Sequence, residues 1–491
     1  MSQLAEGEGR TPGEDVLDRP EAGATAIRGA AIRTALFAAG LLLNLATVPF
    51  MIRHLGAVDY GYYVSVASIV FIVGAVTDAG LTNLGVRYWV TSDAPARRSL
   101  LSNLIGLRLV LTTLGIGIAT GLTALAGAPG VVVAGTAVYG AGLLISTIAY
   151  TYSVPLLAVL RLGSTAALDF LRSLSLAAST LVLVVVGAGL MAFFGAYVFS
   201  SVAAMIATLA LIRNRAAIRP AFHRETWIRF LRETASYALA SAVGLIYFRV
   251  AMVLISFLST DVQAGYYAAP FRVIEVATNV PWLFVTSVFP ILARAATDDL
   301  ARLRYALQRM AEVGLICGVW MSITLIAEAE WVIDLVAGDD FGPSIPVLRI
   351  QAATLVATFV ISTWSMVLLS RHHHRPLLVT NLLALGVAAV AAIALIPPYG
   401  AKGAAITTLV TEVFLAGAYI VALRRAEAEL RLDLGFLPKL LLATGLAALV
   451  ALLGLPPVPT ILAMSAVYLG ALFALRAVPT EILHALRHRG G

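Results

Sequence analysis

The chain has 491 residues, of which 60% are hydrophobic and only 12% are charged, and its formal net charge is +7. A soluble domain carries about 25% charged residues, so this composition excludes a water-soluble globular enzyme, and its hydrophobicity equally excludes a disordered chain. The apolar residues form runs of about twenty, the length that crosses a bilayer as a helix. We therefore predict an all-α, polytopic membrane protein with about 14 transmembrane helices.

In chain order, the first segment is a tail at residues 1–27, which is rich in Gly, Pro, Glu and Asp and is predicted to be disordered. The apolar runs that follow predict the membrane helices one after another. They are expected at residues 30–52, 61–86, 101–126, 131–157, 166–187, 190–212, 234–258, 264–293, 311–336, 345–370, 376–396, 401–423, 438–454 and 459–476.

The distribution of arginine and lysine between alternate loops predicts the orientation of the chain. On the side that holds both termini lie 27 basic residues, whereas only Arg53 and Lys402 lie on the other side. Cytoplasmic loops of membrane proteins carry such an excess of basic residues. We therefore expect a multi-pass protein of the cytoplasmic membrane with both termini in the cytoplasm, and the positive charge does not require nucleic acid as a partner.

The chain also repeats internally. The tripeptide Gly-Tyr-Tyr occurs at Gly61 and again at Gly265, 204 residues later, and the helices that follow keep a similar offset. Both copies begin on the same side of the membrane, so the repeats are parallel and related by an axis along the membrane normal. This pattern predicts two six-helix halves around a central cavity, with two extra C-terminal helices.

The domain organisation follows from this repeat. We expect a disordered cytoplasmic tail at 1–27, an N-terminal six-helix lobe at 28–213, a basic cytoplasmic linker at 214–233, a C-terminal six-helix lobe at 234–424, two additional transmembrane helices at 425–476 and a cytoplasmic tail at 477–491. Two such lobes around a cavity are typical of an alternating-access transporter. The alternative is a duplicated scaffold that transports nothing.

Charged residues inside the apolar runs are the candidates for function, because each costs roughly 2.5–3.5 kcal/mol in a membrane unless a partner or an aqueous cavity receives it. Several arginines that face one cavity would attract a phosphate, which they bind in a bidentate manner. The candidate substrate-binding residues are Arg249, Arg272, Glu275, Arg108 and Arg172. The candidate ion-coupling residues are Asp78 and Glu412.

Two of these arginines have an acidic residue on the same helical face. Asp169 precedes Arg172 by three residues, and Glu275 follows Arg272 by three. For both pairs, a self-neutralised contact between packed helices is an equal alternative. Arg249 has no acidic residue within a turn of its own helix, so a role in the cavity is favoured for it.

The predicted helix at 264–293 also carries three prolines, Pro270, Pro281 and Pro290. Each removes a backbone donor and is expected to kink the helix. Such breaks occur at membrane depth where the backbone lines a cavity. The helix that carries Arg272 and Glu275 is therefore predicted to be interrupted.

Motifs of enzymes and cofactor sites are missing from the sequence. No Gly-Lys dipeptide occurs, so the chain has no P-loop, and His-Glu-x-x-His and Cys-x-x-Cys are also absent. The histidines at 372–374 lie between two arginines and are interpreted as a solvated basic loop rather than a metal site. We expect no catalytic residues, no cofactor and no metal, and therefore a protein that is not an enzyme.

Two stretches resemble a known family. Residues 55–63 (LGAVDYGYY) follow the first predicted helix, and residues 257–269 (FLSTDVQAGYYAA) follow the seventh. A third stretch, at 400–405 (GAKGAA), precedes the twelfth. In these stretches, over about residues 28–425, the chain is similar to the polysaccharide transporter family, the oligosaccharide flippases of the multidrug/oligosaccharidyl-lipid/polysaccharide exporter superfamily.

The resemblance implies a V-shaped bundle of two six-helix lobes and export of undecaprenyl-linked sugars. Fourteen helices rather than twelve are also similar to the lipid II flippases, in which the extra pair is associated with the lipid tail. Family members often carry an acidic residue shortly after the arginine of the seventh helix, whereas Val250 and Ala251 follow Arg249 here.

We therefore expect a flippase that moves a lipid-linked (polyprenyl-phosphate-type) oligosaccharide from the inner to the outer leaflet for cell-surface polysaccharide biosynthesis. Its partners would be that lipid-linked oligosaccharide and membrane lipids, with polysaccharide polymerase machinery as a further candidate. The alternatives are a cation-coupled multidrug exporter of the same superfamily, whose cavity should be more acidic, and a non-catalytic membrane scaffold of an envelope-polymer assembly.

Overall fold

The computed structural model of the protein describes residues 22–78, 80–158, 162–212, 219–281, 300–371, 374–426, 433 and 435–477. The described residues form α-helices and short 3₁₀ turns, and no strand occurs among them. In chain order the helices are α1 (Ala22–Asp78), α2 (Leu81–Thr91), α3 (Ala94–Leu125), α4 (Gly130–Ala158), α5 (Leu162–Val186), α6 (Leu190–Leu211), α7 (Arg224–Leu258), α8 (Asp261–Ala277), α9 (Leu300–Ala327), α10 (Ala329–Val336), α11 (Ser344–Ser370), α12 (His374–Ala426), α13 (Leu437–Val450) and α14 (Pro457–Ala474).

Within the described ranges, nine helical stretches are long and apolar enough to cross a membrane, judged by length and composition. The two longest, of 60 and 52 residues, each contain a glycine with non-helical dihedral angles, Gly56 in α1 and Gly400 in α12, so each provides two spans. Shorter apolar helices at Ala242–Leu258 and Leu437–Leu453 add two more, and α8 takes the remaining place in the predicted order. The predicted all-α polytopic fold is confirmed.

Several predicted helix boundaries differ from the structure. The predicted helix at 61–86 is interrupted after Asp78, because Gly80 adopts the left-handed conformation (φ 78°) that ends a helix, and α2 starts at the next residue. The predicted helix at 264–293 is interrupted at Thr278, because α8 ends at Ala277 and helical residues resume at 279–281, while residues 282–293 lie outside the described ranges. Pro281 has no amide N–H to donate to the carbonyl of Ala277, which weakens the hydrogen-bond ladder at this break. The predicted helix at 311–336 begins at Leu300 and is divided at Glu328 into α9 and α10.

The helix predicted at 234–258 begins ten residues earlier, at Arg224, so half of the predicted linker is helical. The added segment is amphipathic. Phe230 is buried and Trp227 half-buried against the start of α3, whereas the side chains of Arg224, Arg229 and Arg232 are exposed. A search for unbroken apolar runs misses such a helix, because its apolar residues lie on one face only.

Other expectations fall partly outside the described residues. Residues 1–21 of the predicted N-terminal tail lie outside the described ranges, and α1 already begins at Ala22, within that predicted tail. Pro290, the histidines at 372 and 373, and residues 214–218 of the predicted linker also lie outside the described ranges. The predicted C-terminal tail lies outside the described ranges from residue 478 onward.

One end of the bundle is closed by tight turns. Because successive spans run in opposite directions, six glycines with positive φ fall at the same end: Gly56, Gly127, Gly187, Gly338, Gly400 and Gly454. We call this the glycine end. These turns explain why the connections predicted for that side are so short, because glycine adopts positive φ without steric cost.

At the glycine end the two copies of Gly-Tyr-Tyr meet. A Cβ atom on Gly265 would lie 1.9 Å from the carbonyl oxygen of Ala57, and a Cβ atom on Gly61 would lie 2.8 Å from the backbone nitrogen of Gly265. The backbones of α1 and α8 therefore touch, and we call this contact the glycine seam. Beside it, Arg53 donates hydrogen bonds to the carbonyl oxygens of Asp334 (2.7 Å) and Leu335 (3.0 Å) in the second half.

At the opposite end, which we call the linker end, the segment before α7 and the first turn of α7 pack on the first half. The backbone N–H of Ala221 donates to the carbonyl of Ser102 (2.9 Å), and the indole N–H of Trp227 donates to that of Asn103 (3.1 Å). Further along α7, Glu233 accepts hydrogen bonds from Arg87 (2.9 Å) and Tyr88 (2.7 Å) of α2.

A large apolar core joins the halves beneath the glycine seam. It combines α1 with α7, α8, α10, α11 and α12, and fully buried members include Ile52, Met252, Tyr267, Ile333 and Leu355. The last two helices pack elsewhere, against α9, where the hydroxyl of Tyr468 donates to the carbonyl of Ile316 (2.9 Å). The core therefore fixes α1 against α7 and α8, three of the helices that border the main cavity.

Candidate functional site

A cavity of about 690 Å³ lies between the first half and helices α7 and α8. It extends from Met51 and Tyr60, under the glycine seam, to Asn83 at the start of α2. Five of its lining residues are charged, namely Asp78, Arg108, Arg249, Arg272 and Glu275. With three arginines and two acids, these residues carry a net charge of +1. All five were candidates from the sequence, and the structure brings them to one space.

The central charged group consists of Arg249, Glu275 and Arg272. One carboxylate oxygen of Glu275 accepts a hydrogen bond from Nη2 of Arg249, and the other accepts from Nη1 of Arg272 at 2.6 Å. Only 12% of the Arg249 side chain and 18% of the Glu275 side chain are exposed. One carboxylate thus serves two cations, so this buried group retains one uncompensated positive charge.

Arg249 also contacts the first half of the chain. Its Nη1 lies 3.3 Å from the hydroxyl of Ser68, and its guanidinium lies 4.1 Å from the ring centre of Phe71. Its Nε atom is buried without a hydrogen-bond partner among the described residues. The sequence placed no acidic residue within a turn of Arg249, and the structure supplies Glu275 from the neighbouring helix instead. The three charged side chains therefore form one group rather than a pair and a lone arginine.

A second ion pair lies at the break between α1 and α2. Arg108, of which only 1% is exposed, donates to the carboxylate of Asp78, to the hydroxyl of Thr82 at 2.7 Å and to that of Thr151 at 2.8 Å. The left-handed Gly80 lets the chain turn so that Asp78 and Thr82 both face Arg108. Asp78 keeps 45% of its side chain exposed, so the pair presents its acidic member to the cavity.

Arg172 lies outside this cavity. It borders a second cavity of about 240 Å³, together with Asp169 and Arg33. Its guanidinium lies 3.8 Å from the carboxylate of Asp169 and 4.8 Å from the ring centre of Tyr150. Thr82 and Tyr150 line both cavities, so the two spaces are neighbours.

Glu412 is separate from all of these residues. It is 2% exposed inside the second half, beside a void of only about 10 Å³ that Tyr247 also borders. The hydroxyl of Thr358 donates to its carboxylate at 3.3 Å, and no arginine or lysine of the described residues forms an ion pair with it. Within the same ranges, no group of three or more His, Cys, Asp or Glu side chains is arranged to hold a metal ion.

Sequence reasoning overlooked the tyrosines of the main cavity. Tyr60 and Tyr63 sit near a helix end, where an interfacial aromatic belt is expected, yet Tyr60 is 1% exposed and both line the cavity. Tyr139 and Tyr150 on α4 line it as well, as does Tyr197 on α6. The spacing of Tyr139 and Tyr150 on α4 could have revealed them, because residues eleven apart lie on the same face of a helix.

The comparisons with known proteins agree with this architecture. Residues 26–296 match the model of the family described as polysaccharide biosynthesis protein. The chain belongs to this family. No curated protein sequence matches it.

Solved structures share the fold. The lipid II flippase MurJ in an inward closed conformation is similar with a TM-score of 0.76 at 13% identity, and the match covers 91% of this chain and 99% of that one. An inward-facing multidrug resistance MATE family transporter of the MOP superfamily gives 0.64 at 15%, covering 81% and 98%. A MOP superfamily transporter from Pyrococcus furiosus, described as having a binding pocket of reversed polarity, gives 0.56 at 16%, covering 86% and 99%. At these low identities the TM-scores show a shared fold, which is that of multi-pass membrane transporters.

Proposed function

We propose that this protein is a flippase that moves a lipid-linked, phosphate-bearing oligosaccharide from the inner to the outer leaflet of the bacterial cytoplasmic membrane, for cell-surface polysaccharide biosynthesis. The observation that carries the proposal is the main cavity, where Arg249, Arg272 and Arg108 outnumber the acidic residues. A phosphate or pyrophosphate would complete the charge balance of the cavity. Arg249 and Arg272 would be its main ligands, because they share one acid and arginine binds phosphate oxygens in a bidentate manner, whereas Arg108 is already paired with Asp78.

The Arg249–Glu275–Arg272 group suits reversible binding. Glu275 pairs with both guanidinium groups. An incoming phosphate competes with this carboxylate for the same donors, so binding remains favourable without becoming irreversible. The saccharide head would travel in the cavity while the polyprenyl tail stays in lipid, and no bond is made or broken, so the protein is not an enzyme.

The orientation is part of the proposal. With both termini and the linker end in the cytoplasm, the glycine end faces outward, and the glycine seam closes the outer exit of the cavity. Transport by alternating access then requires α1 and α8 to separate at Gly61 and Gly265, whose backbones are in contact. Membrane lipids surround the protein, and polymerase machinery on the outer face would receive the product.

The remaining candidates take different roles. Because Arg172 lines the neighbouring cavity, we assign it to the entry of the head group rather than to its final site. Glu412, buried without a cationic partner in the described part of the chain, is the preferred ion-coupling residue. Asp78 is the less favoured candidate for ion coupling, because its charge is already neutralised by Arg108.

A multidrug exporter for cations is less compatible with this cavity, because a positively charged lining repels a cationic drug. A membrane scaffold without transport would not need three arginines at membrane depth, where each charge is costly. For such a scaffold, substitution of the cavity charges would leave polymer export intact.

Deletion of the gene tests the function directly. The proposal expects a lipid-linked saccharide to accumulate in the cytoplasmic leaflet, detected by extraction and mass spectrometry, and export to return with the wild-type gene. An unchanged lipid pool with normal surface polymer would refute it. The accumulated lipid would also identify the sugar.

The orientation is testable with single cysteines, since Cys317 is the only cysteine of the chain and can be replaced by serine. A cysteine at Ser92 or Arg371 should react only with membrane-permeant thiol reagents. A cysteine at Asp261, in the connection next to the glycine seam, should react with impermeant reagent applied from outside. Labelling of Ser92→Cys from outside would reverse the proposed direction of transport.

A further inference from the structure

Four tyrosines form one wall of the main cavity, and all of them belong to the first half. They are Tyr63 on α1, Tyr139 and Tyr150 on α4, and Tyr197 on α6. We call them the tyrosine wall. The charged group of Arg249, Arg272 and Glu275 lies on α7 and α8, which border the same cavity from the second half.

The wall is built by helix spacing. Tyr139, Leu143, Thr147 and Tyr150 all line the cavity, and their intervals of four, four and three residues place them on one face of α4. Eleven residues of helix separate the two tyrosines by about 16 Å along the axis. The wall thus lines the cavity over about three turns of α4.

Packing against one another fixes three of the four rings, whereas the ring of Tyr150 lies 4.8 Å from the guanidinium of Arg172 and its hydroxyl donates to Asp169 at 3.4 Å. The rings of Tyr139 and Tyr197 stack with centres 4.0 Å apart and an angle of 4°, and the ring of Tyr63 meets that of Tyr139 edge-on at 6.1 Å. Gly142 allows this arrangement, because a Cβ atom there would lie 2.6 Å from the ring of Tyr197. A wall held in this way is preorganised and loses little entropy when a ligand binds.

The chemistry of the wall differs from that of the charged group. A phenol hydroxyl both donates and accepts hydrogen bonds, as do the neighbouring hydroxyls of Thr147 and Thr180, and Asn44 adds an amide. Aromatic rings offer apolar surface beside these groups. This combination matches a sugar, which presents hydroxyl groups around a C–H surface. It is less suited to a phosphate, which cationic donors bind more strongly, or to a polyprenyl tail, which cannot use hydroxyls.

We propose that the tyrosine wall is the saccharide subsite, so that the head group is held in one orientation with its sugar on the first half and its phosphate on α7 and α8. The inference rests on the proposed function, because it requires a phosphate-bearing saccharide as the cargo. It adds that the two halves bind different parts of one ligand, and that the sugar contributes to affinity independently of the phosphate.

The test compares two lipids that differ only in the sugar. Full-length protein in detergent is titrated with undecaprenyl pyrophosphate and with undecaprenyl-pyrophosphoryl-N-acetylglucosamine, and dissociation constants are measured by native mass spectrometry. The wild type should bind the sugar-bearing lipid roughly tenfold more tightly. Tyr139→Phe and Tyr150→Phe keep the ring and remove the hydroxyl, and each should lower this ratio by about threefold to tenfold, the effect of one hydrogen bond. Neither should change affinity for the sugar-free lipid.

Two further variants separate the possible failures. Arg249→Ala should weaken binding of both lipids to the same degree and leave their ratio unchanged. Tyr152→Phe, on the same helix but outside the cavity lining, should change neither constant. Equal affinity of the wild type for both lipids, or an unchanged ratio in the two wall variants, would overturn the saccharide subsite and leave the proposed function standing. Failure of the wild type to bind either lipid would overturn both.

Discussion

At residues 68 and 71 the first half carries serine and phenylalanine, whereas 204 residues later the second half carries Arg272 and Glu275. The same offset relates Gly61 to Gly265, which have stayed glycine in both halves. The difference separates two kinds of constraint. Glycine is kept in both copies because the backbones touch, while side chains that face the cavity have diverged.

The diverged positions remain in contact with one another. Arg249 of the second half forms its ion pair with Glu275 and reaches Ser68 and Phe71, the counterparts of Arg272 and Glu275 in the first half. At these positions the charged side chains therefore belong to the second half, and the aromatic ring of Phe71, against which Arg249 lies, belongs to the first half. The site depends on both halves, and substitutions in each should have distinct effects.

Removal of Arg249 should have the largest effect. Arg249→Ala is expected to lower lipid flipping by roughly a hundredfold or more, because a charge-assisted hydrogen bond contributes about 1.5–3 kcal/mol and this residue offers several donors. Arg249→Lys should recover only part of the rate, since an ammonium lacks the bidentate geometry. Flipping is measured in proteoliposomes, with Arg375→Ala, an exposed arginine away from the cavity, as the control. Normal flipping by the alanine variant would remove Arg249 from the phosphate site.

The glycine seam should be more sensitive on one side than on the other. Gly265→Ala places a methyl group 1.9 Å from a carbonyl oxygen, whereas Gly61→Ala meets a nitrogen at 2.8 Å. Overpacking of this kind costs about 1–3 kcal/mol, so we expect a lower unfolding midpoint and greater outside labelling of a cysteine at Val64, both more severe for Gly265→Ala. Gly117→Ala, which meets no atom within 4 Å, is the matched control. Equal, mild effects at both glycines would show that the seam is not tightly closed.

Among the described residues, Glu412 of the second half has no cationic partner, whereas Asp78 of the first half pairs with Arg108. Glu412→Gln keeps the shape of the side chain and removes its charge, so the protein should remain as stable as the wild type. We expect flipping by this variant to fall to the rate that the wild type shows without an imposed cation gradient. The measurement applies proton and sodium gradients separately across proteoliposomes. A variant that still responds to either gradient as the wild type does would exclude Glu412 from coupling.

The smallest effect should come from the second cavity. Arg172 is only partly buried, and its ion pair with Asp169 at 3.8 Å is long. Exposed ion pairs and cation–π contacts each contribute about 0.5–1 kcal/mol, so Arg172→Ala should reduce flipping by about twofold to fivefold. A reduction equal to that of Arg249→Ala would place Arg172 in the main phosphate site despite its separate cavity.

The contrast between Arg249 and Arg172 also shows what the sequence can predict. The apolar runs and the Gly-Tyr-Tyr repeat determine the number and order of the spans, and membrane cost alone marks the buried arginines as functional candidates. The sequence does not predict the direction in which each arginine side chain points. A helix that is apolar on nearly all faces gives no pattern to show which face meets the cavity, so Arg172 could not be separated from Arg108 beforehand.

The remaining features depend on contacts between distant residues. Glu275 reaches Arg249 from another helix, 26 residues further along the chain, and local spacing cannot reveal such a pair. Gly80 is one of 40 glycines, and only its left-handed conformation distinguishes the break at the cavity. The tyrosine wall was hidden for a related reason, since tyrosines near helix ends are equally expected at a membrane surface.

Helix α7 links the linker end to the centre of the cavity without a break. It contains 35 residues, so it is about 52 Å long. Near its start, Glu233 is held by Arg87 and Tyr88 of α2, and sixteen residues later the same helix presents Arg249 to the cavity. An unbroken helix tilts as a rigid rod, so a tilt of α7 about the core that joins the halves would displace the linker end together with Arg249. On the proposed function, a ligand bound at Arg249 would therefore bias the position of the linker end, and a partner bound to the linker would in turn bias the cavity.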